Sequence, residues 1–341
     1  MAPHRIGIVG CGRRGRAFAA AIASLDAAAL ALWVDDDPAA ARACAAAYGG
    51  AVAPSWTDEA LDTLIKASPR LDSAVLAAAV RDGLRVLIDP PLARGIVDAR
   101  RAVRAVKSVP GGVGMGFDWR FEPLVRLLRV LTPRPLFAHV SLAVDPGPPQ
   151  APESVRETMW TTPHHALDLL VHLFDGPPAE VVADGGPLPA ERNESATSSV
   201  PPRADALVAD LFFDRERHAA ITVGGGDADP ELGPVVLDLT DGATRVRIWS
   251  NWSVAEILPL DGRSPDPPSL PGVRLEREGR ALMARAEPDG QALRTLVQAF
   301  IASEPVDNRL AGAADGARAV AITRAVLAAA ASGRTQTLSA A

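Results

Sequence analysis

The chain has 341 residues, 48% of them hydrophobic, with 35 basic and 41 acidic side chains and a net charge of -6. That length suits two domains that each bury a core, and the mild acidity gives no bulk attraction to nucleic acid or an anionic membrane. Strand-like sequence begins by Arg5 and the cysteines are Cys11 and Cys44, so neither a signal peptide nor a disulfide framework is expected and a cytoplasmic protein is the reading.

The first element is an apolar run, Arg5 to Val9, that opens into Gly10-Cys11-Gly12-Arg13-Arg14-Gly15 and an Ala-rich helical stretch over 15–24. In this G-x-G-x-x-G, Gly10 permits the tight turn out of a strand. Gly12 lets backbone approach a pyrophosphate, and Gly15 lets the helix pack on the sheet. The phosphates would sit on the helix N-terminus. A second apolar run, Leu30 to Val34, ends in Asp35-Asp36-Asp37. Asp35 then falls at the end of a second strand, about 20 residues after the loop, where a carboxylate holds ribose hydroxyls. The window 17–34 is the most apolar, but Ser24 and Asp26 interrupt it, so it reads as helix, turn and strand rather than a membrane span.

Further strands are predicted over 62–67, 84–88 and 112–117, alternating with helices over 38–48, 72–82 and 95–107. This is the grammar of a doubly wound parallel sheet. After Pro123 come a helix over 122–131 and period-two runs at Phe137 to Val144, Ala206 to Phe213, His218 to Val223 and Arg245 to Trp249. Such runs indicate a mostly antiparallel sheet. The expected fold is therefore α/β: a dinucleotide-binding domain over 1–121 and an α+β domain with an open sheet over 122–341. Pro-rich stretches at 133–152, 187–203 and 259–271 read as surface loops, and an Ala-rich helix over about 311–332 closes the chain.

In order and combination, these pieces resemble the glucose-fructose oxidoreductase, inositol dehydrogenase and MocA family nearly end to end. The similarity is carried by Gly10 to Gly15, the Asp35 to Pro38 turn, Ile65-Lys66-Ala67-Ser68-Pro69, Val86 to Ala93, Gly116 to Pro123, and His165-Ala166-Leu167-Asp168. The resemblance implies NAD in the first domain, with NADP disfavoured by Asp35 to Asp37, held by Gly10, Gly12, Arg13, Arg14, Gly15, Asp35, Ser68, Pro69 and Asp89. It implies a sugar, cyclitol or related carbonyl substrate over the second domain's sheet, and a homodimer or larger oligomer built through that sheet. Arg13 and Arg14 count against the NAD preference, since an arginine after the loop could turn toward a 2′-phosphate.

The departures concern catalysis. Family members usually carry Glu-Lys-Pro where this chain has Asp89-Pro90-Pro91, and proline cannot donate a proton or carry charge. The usual aspartate four residues before the histidine is Thr161, and a histidine common after the fourth strand is Ser73. His165 remains as proton carrier, since imidazole titrates near neutrality. Thr162 reads as a helix N-cap with Pro163 as the first helical residue. Asp168 either orients His165 or pairs locally, and His164 is a second contact or a solvated helix-start residue. A metal site on His165, Asp168 and His172 lacks a supporting cysteine or further carboxylate, so no metal is expected.

Lys66 and Lys107 are the only lysines, and Lys66 stands in a strand expected to be buried. It is either a relocated catalytic lysine at the strand's carboxyl end or a snorkelling or salt-bridged structural one. Arg120 either contacts substrate or pairs across the domain junction. Trp160 and Thr161 either line a pocket or pack on the sheet. Three functions follow: an NAD-dependent oxidoreductase acting on a hydroxyl or carbonyl, a non-redox acid-base enzyme on the same fold (cyclase, lyase or isomerase), or a catalytically silent NAD-binding homologue.

Overall fold

The computed structural model describes residues 2–58, 60–68, 73–107, 112–144, 153–185, 206–225, 232–262, 267, 269–287, 291–302 and 309–338. In chain order the elements are β1 (His4–Val9), α1 (Arg13–Ala23), β2 (Ala28–Val34), α2 (Pro38–Tyr48), β3 (Ala51–Val52), β4 (Thr63–Lys66), α3 (Ser73–Arg81), β5 (Arg85–Ile88), α4 (Ile96–Val106) and β6 (Val113–Met115). They continue as α5 (Pro123–Leu131), β7 (Phe137–Val144), α6 (Glu153–Leu173), β8 (Glu180–Gly185), β9 (Ala206–Phe212), β10 (His218–Gly225), β11 (Val235–Thr240), β12 (Thr244–Trp249) and β13 (Val254–Pro259). The last are β14 (Val273–Glu278), β15 (Ala281–Ala286), α7 (Gln291–Ile301), β16 (Ala311–Gly312), α8 (Ala313–Ser332) and β17 (Gln336–Thr337). Two compact units result, Met1–Phe121 with Asp289–Val320 and Glu122–Pro288 with Ala321–Ala341.

In the first unit β3, β2, β1, β4, β5 and β6 lie side by side in that order, all parallel, and β16 adds antiparallel to β6. Connection order reverses between β1 and β4, and the crevice beyond the strands' carboxyl ends at that switch point is where such sheets bind ligands. Helices cover both faces, so successive residues of β4 are all buried. Ile65 joins Ile6, Ile8, Phe18 and Trp33 on one side, and Leu64 joins Val86, Ile88, Leu76 and Ala99 on the other. The chain does not stay in the second unit to its end. Helix α7 returns to bury Leu293, Leu296, Val297 and Phe300 in the first cluster.

The second unit is a sheet of ten strands among the described residues, in the order β14-β15-β13-β12-β11-β7-β10-β9-β8-β17. Its neighbours are antiparallel except β7 and β10, which run parallel in register from Phe137 beside His218 to Val144 beside Gly225. Alternation sends Ala138, Val140, Leu142, Ile221, Leu237 and Leu239 to a buried face. Helix α6 packs against β7 and β10. The opposite face exposes Val182, Val208 and Phe212.

Two expectations are corrected. Thr162 and Pro163 do not start a helix, because α6 runs unbroken from Glu153 with Pro163 in its interior. Pro163 was read as a start signal, but the preceding residues, including Glu153, Arg156 and Met159, favour helix and carry the turn through it. The stretch 133–152 is not wholly loop, since β7 occupies its centre. The loop read at 187–203 lies outside the described residues.

Candidate active site

The glycine loop is built as its spacing demands. Gly10 has φ +106, and a Cβ there would lie 2.9 Å from the carbonyl atoms of Ala67 and 3.0 Å from Ser68 Cβ. Glycine is required twice over, for its dihedral and for the close approach of β4's end. A Cβ on Gly15 would come within 1.9 Å of the Gly10 oxygen, so α1 packs on its own loop through this missing side chain. Gly12 differs: it caps α1 with φ -70, and a Cβ on it would meet nothing within 4 Å. No protein atom needs glycine at this position. A side chain there would fill the space over the amino end of α1, where a dinucleotide's pyrophosphate would sit.

Asp35 lies at the end of β2 as expected, and it also ties the loop. Its Oδ2 accepts the Cys11 backbone N–H at 2.6 Å and its Oδ1 accepts that of Asp37 at 2.9 Å. Each carboxylate oxygen keeps further acceptor capacity for a ribose hydroxyl. Asp37 caps α2 by accepting the Ala39 N–H at 2.8 Å, a local duty that the run of three aspartates did not disclose. Cys44 Sγ donates to the Cys11 oxygen at 3.7 Å, and both thiols are free and buried. Burial first, then Cys44 and Asp35, push the Cys11 thiol up to about 12, which makes it inert near neutrality.

Arg14 is drawn inward. Its Nε donates to Asp89 Oδ1 at 2.8 Å and its Nη1 to Asp118 Oδ2 at 2.9 Å, while the guanidinium lies 5.3 Å from the Phe18 ring centroid. Burial acts to lower its pKa, but Asp118 and Asp89 together outweigh burial and hold it above its ordinary value. The guanidinium is thus engaged by two carboxylates, whereas Arg13 is exposed. Asp89, the residue after β5, is the hub that joins α1 to the strand ends. Arg120 is buried too, donating to the Arg309 carbonyl at 3.4 Å and lying 3.7 Å from Asp315. It pairs within its own unit. Sequence reasoning left Asp118 and Asp315 out, and nothing in their spacing marks them as partners of distant arginines.

Lys66 ends β4 and is 2% exposed. Its Nζ donates to the Pro91 carbonyl at 3.3 Å, and the Lys66 carbonyl accepts the Asp89 backbone N–H at 2.8 Å. Burial lowers its pKa to about 8, Asp89 opposing and Arg94 adding to the fall. Ser68 lies against Gly10, and Pro69 lies outside the described residues.

In the second unit, His164, His165 and Asp168 are buried on α6, with His172 a further turn along. Three-residue spacing puts His165 and Asp168 on neighbouring turns of one face. Trp160 and Thr161 lie on the α6 backbone, and their side chains fall outside the described residues. Among the described residues no cluster of three or more His, Cys, Asp or Glu side chains could hold a metal, and no helix is long and apolar enough to cross a membrane.

Residues 4–117 match the model of an oxidoreductase family with an NAD-binding Rossmann fold, GFO_IDH_MocA. No functionally curated protein matches the chain. Among solved structures, levoglucosan dehydrogenase in complex with NADH is 15% identical with a TM-score of 0.78, covering 100% of both chains. The myo-inositol 2-dehydrogenase of Lactobacillus plantarum is 17% identical at 0.73, covering 99% of this chain and 100% of the other. The UDP-N-acetylglucosamine 3-dehydrogenase of Acidithiobacillus ferrooxidans is 19% identical at 0.73, covering 96% and 98%. At these identities the likeness is one of fold. The open glycine at α1 and the acidic end of β2 agree with the match over residues 4–117, which gives that stretch the NAD-binding Rossmann fold of the GFO_IDH_MocA oxidoreductase family.

Proposed function

We propose that the protein is an NAD-dependent oxidoreductase acting on a hydroxyl or carbonyl of a sugar-like or secondary-metabolite substrate, with His165 as the proton carrier. The observation that carries this reading is Gly12, whose missing side chain leaves room over the α1 N-terminus that no protein atom uses. Gly10, Gly12 and Gly15 would cradle the pyrophosphate and Asp35 would accept the adenosine ribose hydroxyls. Bound NAD supplies the hydride acceptor. His165 takes the hydroxyl proton during oxidation and returns it during reduction, with Asp168 one turn on to orient the ring. Lys107 is exposed and Lys66 donates inward to Pro91, so neither lysine is assigned the proton transfer. The relatives' printed activities, on levoglucosan, myo-inositol and a UDP-amino sugar, support polyhydroxylated compounds as the first substrates to try.

A second reading rests on Pro90. Where the family usually has a lysine, this residue can neither donate nor carry charge, which suits a fold reused for non-redox acid-base chemistry such as elimination or isomerisation. Incubation with NAD and a panel of polyols and sugars, followed at the reduced-nicotinamide absorbance band, separates the two. Growth of that band, reduced about 10²-fold or more by His165→Ala, supports the oxidoreductase. Substrate conversion with no change in the band, unaffected by NAD, supports the alternative.

A further inference from the structure

The ends of β4, β5 and α1 hold a largely buried cluster of charged side chains that the proposed chemistry does not use. Lys66 Nζ grips the Pro91 carbonyl at 3.3 Å, and the backbone of Asp89, two residues earlier, is bonded to the Lys66 carbonyl at 2.8 Å. Asp89 in turn binds Arg14 on the first turn of the glycine-loop helix at 2.8 Å, and Arg14 binds Asp118 at 2.9 Å. Asp89 and Asp118 are buried, and Lys66 is more deeply so at 2% exposed. A fully buried lysine at the carboxyl end of a parallel strand is a costly choice unless its charge is used.

We propose that Lys66 is a positioning residue for the dinucleotide site: its ammonium holds the Asp89–Pro91 turn in place and balances Asp89, so that Arg14 and the glycine loop stay set to receive an anionic pyrophosphate. The role rests on the dinucleotide site proposed above. Two positive groups, Lys66 and Arg14, face two negative ones, Asp89 and Asp118, with Arg94 as the further charge that acts on Lys66. Removing the lysine's proton leaves this set one charge more negative beside a site for phosphates, and weakens the grip on Pro91. Both effects disfavour the nucleotide. Lys66 acts through its neighbours and makes no contact with the reacting atoms. Because its pKa lies near 8, the loss falls within an accessible range of pH.

The test is NADH binding to the whole protein, read by nicotinamide fluorescence from pH 7 to pH 9.5. Affinity is expected to fall about fivefold or more through this range. Lys66→Met should bind NADH about fivefold or more weakly at pH 7 and with no such pH dependence, while Lys107→Met, which removes an exposed lysine, should leave both unchanged. A measurement on the unaltered protein guards against misfolding of the Lys66 variant. With 13Cε-labelled lysine there are two signals to follow, and the one absent from Lys66→Met or retained in Lys107→Met should titrate near pH 8. Saturating NADH should move that titration up by about 0.7 pH unit, the same fivefold seen from the other side of the linkage. A flat binding profile, or a lysine titration that NADH does not move, would overturn the role while leaving the nucleotide site intact. Failure of the unaltered protein to bind NADH at any pH would overturn the site and the role together.

Discussion

The backbone N–H of Cys11 donates to Asp35 Oδ2 at 2.6 Å, so the residue expected to read the ribose also fixes the glycine loop that would face the phosphates. One carboxylate would thus set both halves of the proposed dinucleotide site. The unaltered protein should bind NADH at least about tenfold more tightly than NADPH, because Asp35 with Asp36 and Asp37 repels a 2′-phosphate and Arg14 is engaged elsewhere. Asp35→Ala should weaken NADH and narrow that difference. Fluorescence titrations with both cofactors check this, and tighter NADPH binding by the unaltered protein would reverse the assignment.

Arg14 is expected to matter for stability. Arg14→Met leaves Asp89 and Asp118 without their shared guanidinium, and breaking a fully buried pair costs about 3–5 kcal/mol. The Arg14 side chain is 23% exposed, so a loss of about 2–3 kcal/mol is expected. Urea unfolding at pH 7 measures it. An unchanged midpoint would mean that the two carboxylates find other partners.

Lys66 makes the pH dependence of stability run opposite to that of nucleotide binding. Its folded pKa, about 8, is below the ordinary value of 10.5, so between those values the unfolded chain binds the proton more tightly. Stability therefore rises with pH over that window, and by its top a cost of about 3 kcal/mol is relieved. Cys11 opposes from pH 9 upward, because its folded pKa is raised from 9.0 to about 12 and its contribution is lost as pH climbs through that range. The cleanest interval is pH 8 to 9. There the unfolding free energy of the unaltered protein should rise relative to that of Lys66→Met, and parallel curves would contradict it.

The open face of the second unit's sheet exposes Val182, Val208 and Phe212 on adjacent strands β8 and β9. An apolar surface of this kind favours association of identical copies. Light scattering at micromolar concentration is expected to give a dimer or larger closed assembly, shifted toward monomer by Val208→Asp. A monomer mass for the unaltered protein would remove the idea.

Legibility from sequence followed the length of each element's period. The β-α alternation and Gly10, Gly12 and Gly15 fix the first unit locally, so β1, β2, β4, β5 and β6 fall within about two residues of their expected places, whereas the two-residue strands β3 and β16 carry too short a pattern to be read. The second unit was harder. Strands β8, β11, β13, β14 and β15 carry short alternations that charged residues such as Arg274 and Glu276 dilute; β14 and β15 form a hairpin with each other, while β11 also needs β7 and β8 also needs β17, each far away in the chain. Helix α7 carries a legible stripe in Leu293, Leu296, Val297 and Phe300, but nothing local shows that Phe300 packs on Gly114, where a Cβ would lie 2.7 Å from its ring. The ion pairs of Arg14 and Arg120 span 75 or more residues, a separation at which spacing says nothing.

Gly12→Val is the most direct test of the nucleotide site, because the structure separates binding from folding at that residue. Its φ of -70 suits any residue and a Cβ meets nothing within 4 Å, so the variant should fold, with a loss of no more than about 1 kcal/mol because valine is a poorer N-cap than glycine. NADH titration of the two proteins at pH 7 is predicted to show saturable binding by the unaltered chain and a loss of about 10²-fold or more in Gly12→Val, as the valine occupies the pyrophosphate's place. Equal NADH binding by a folded Gly12→Val variant, or none by the unaltered protein, would contradict the account.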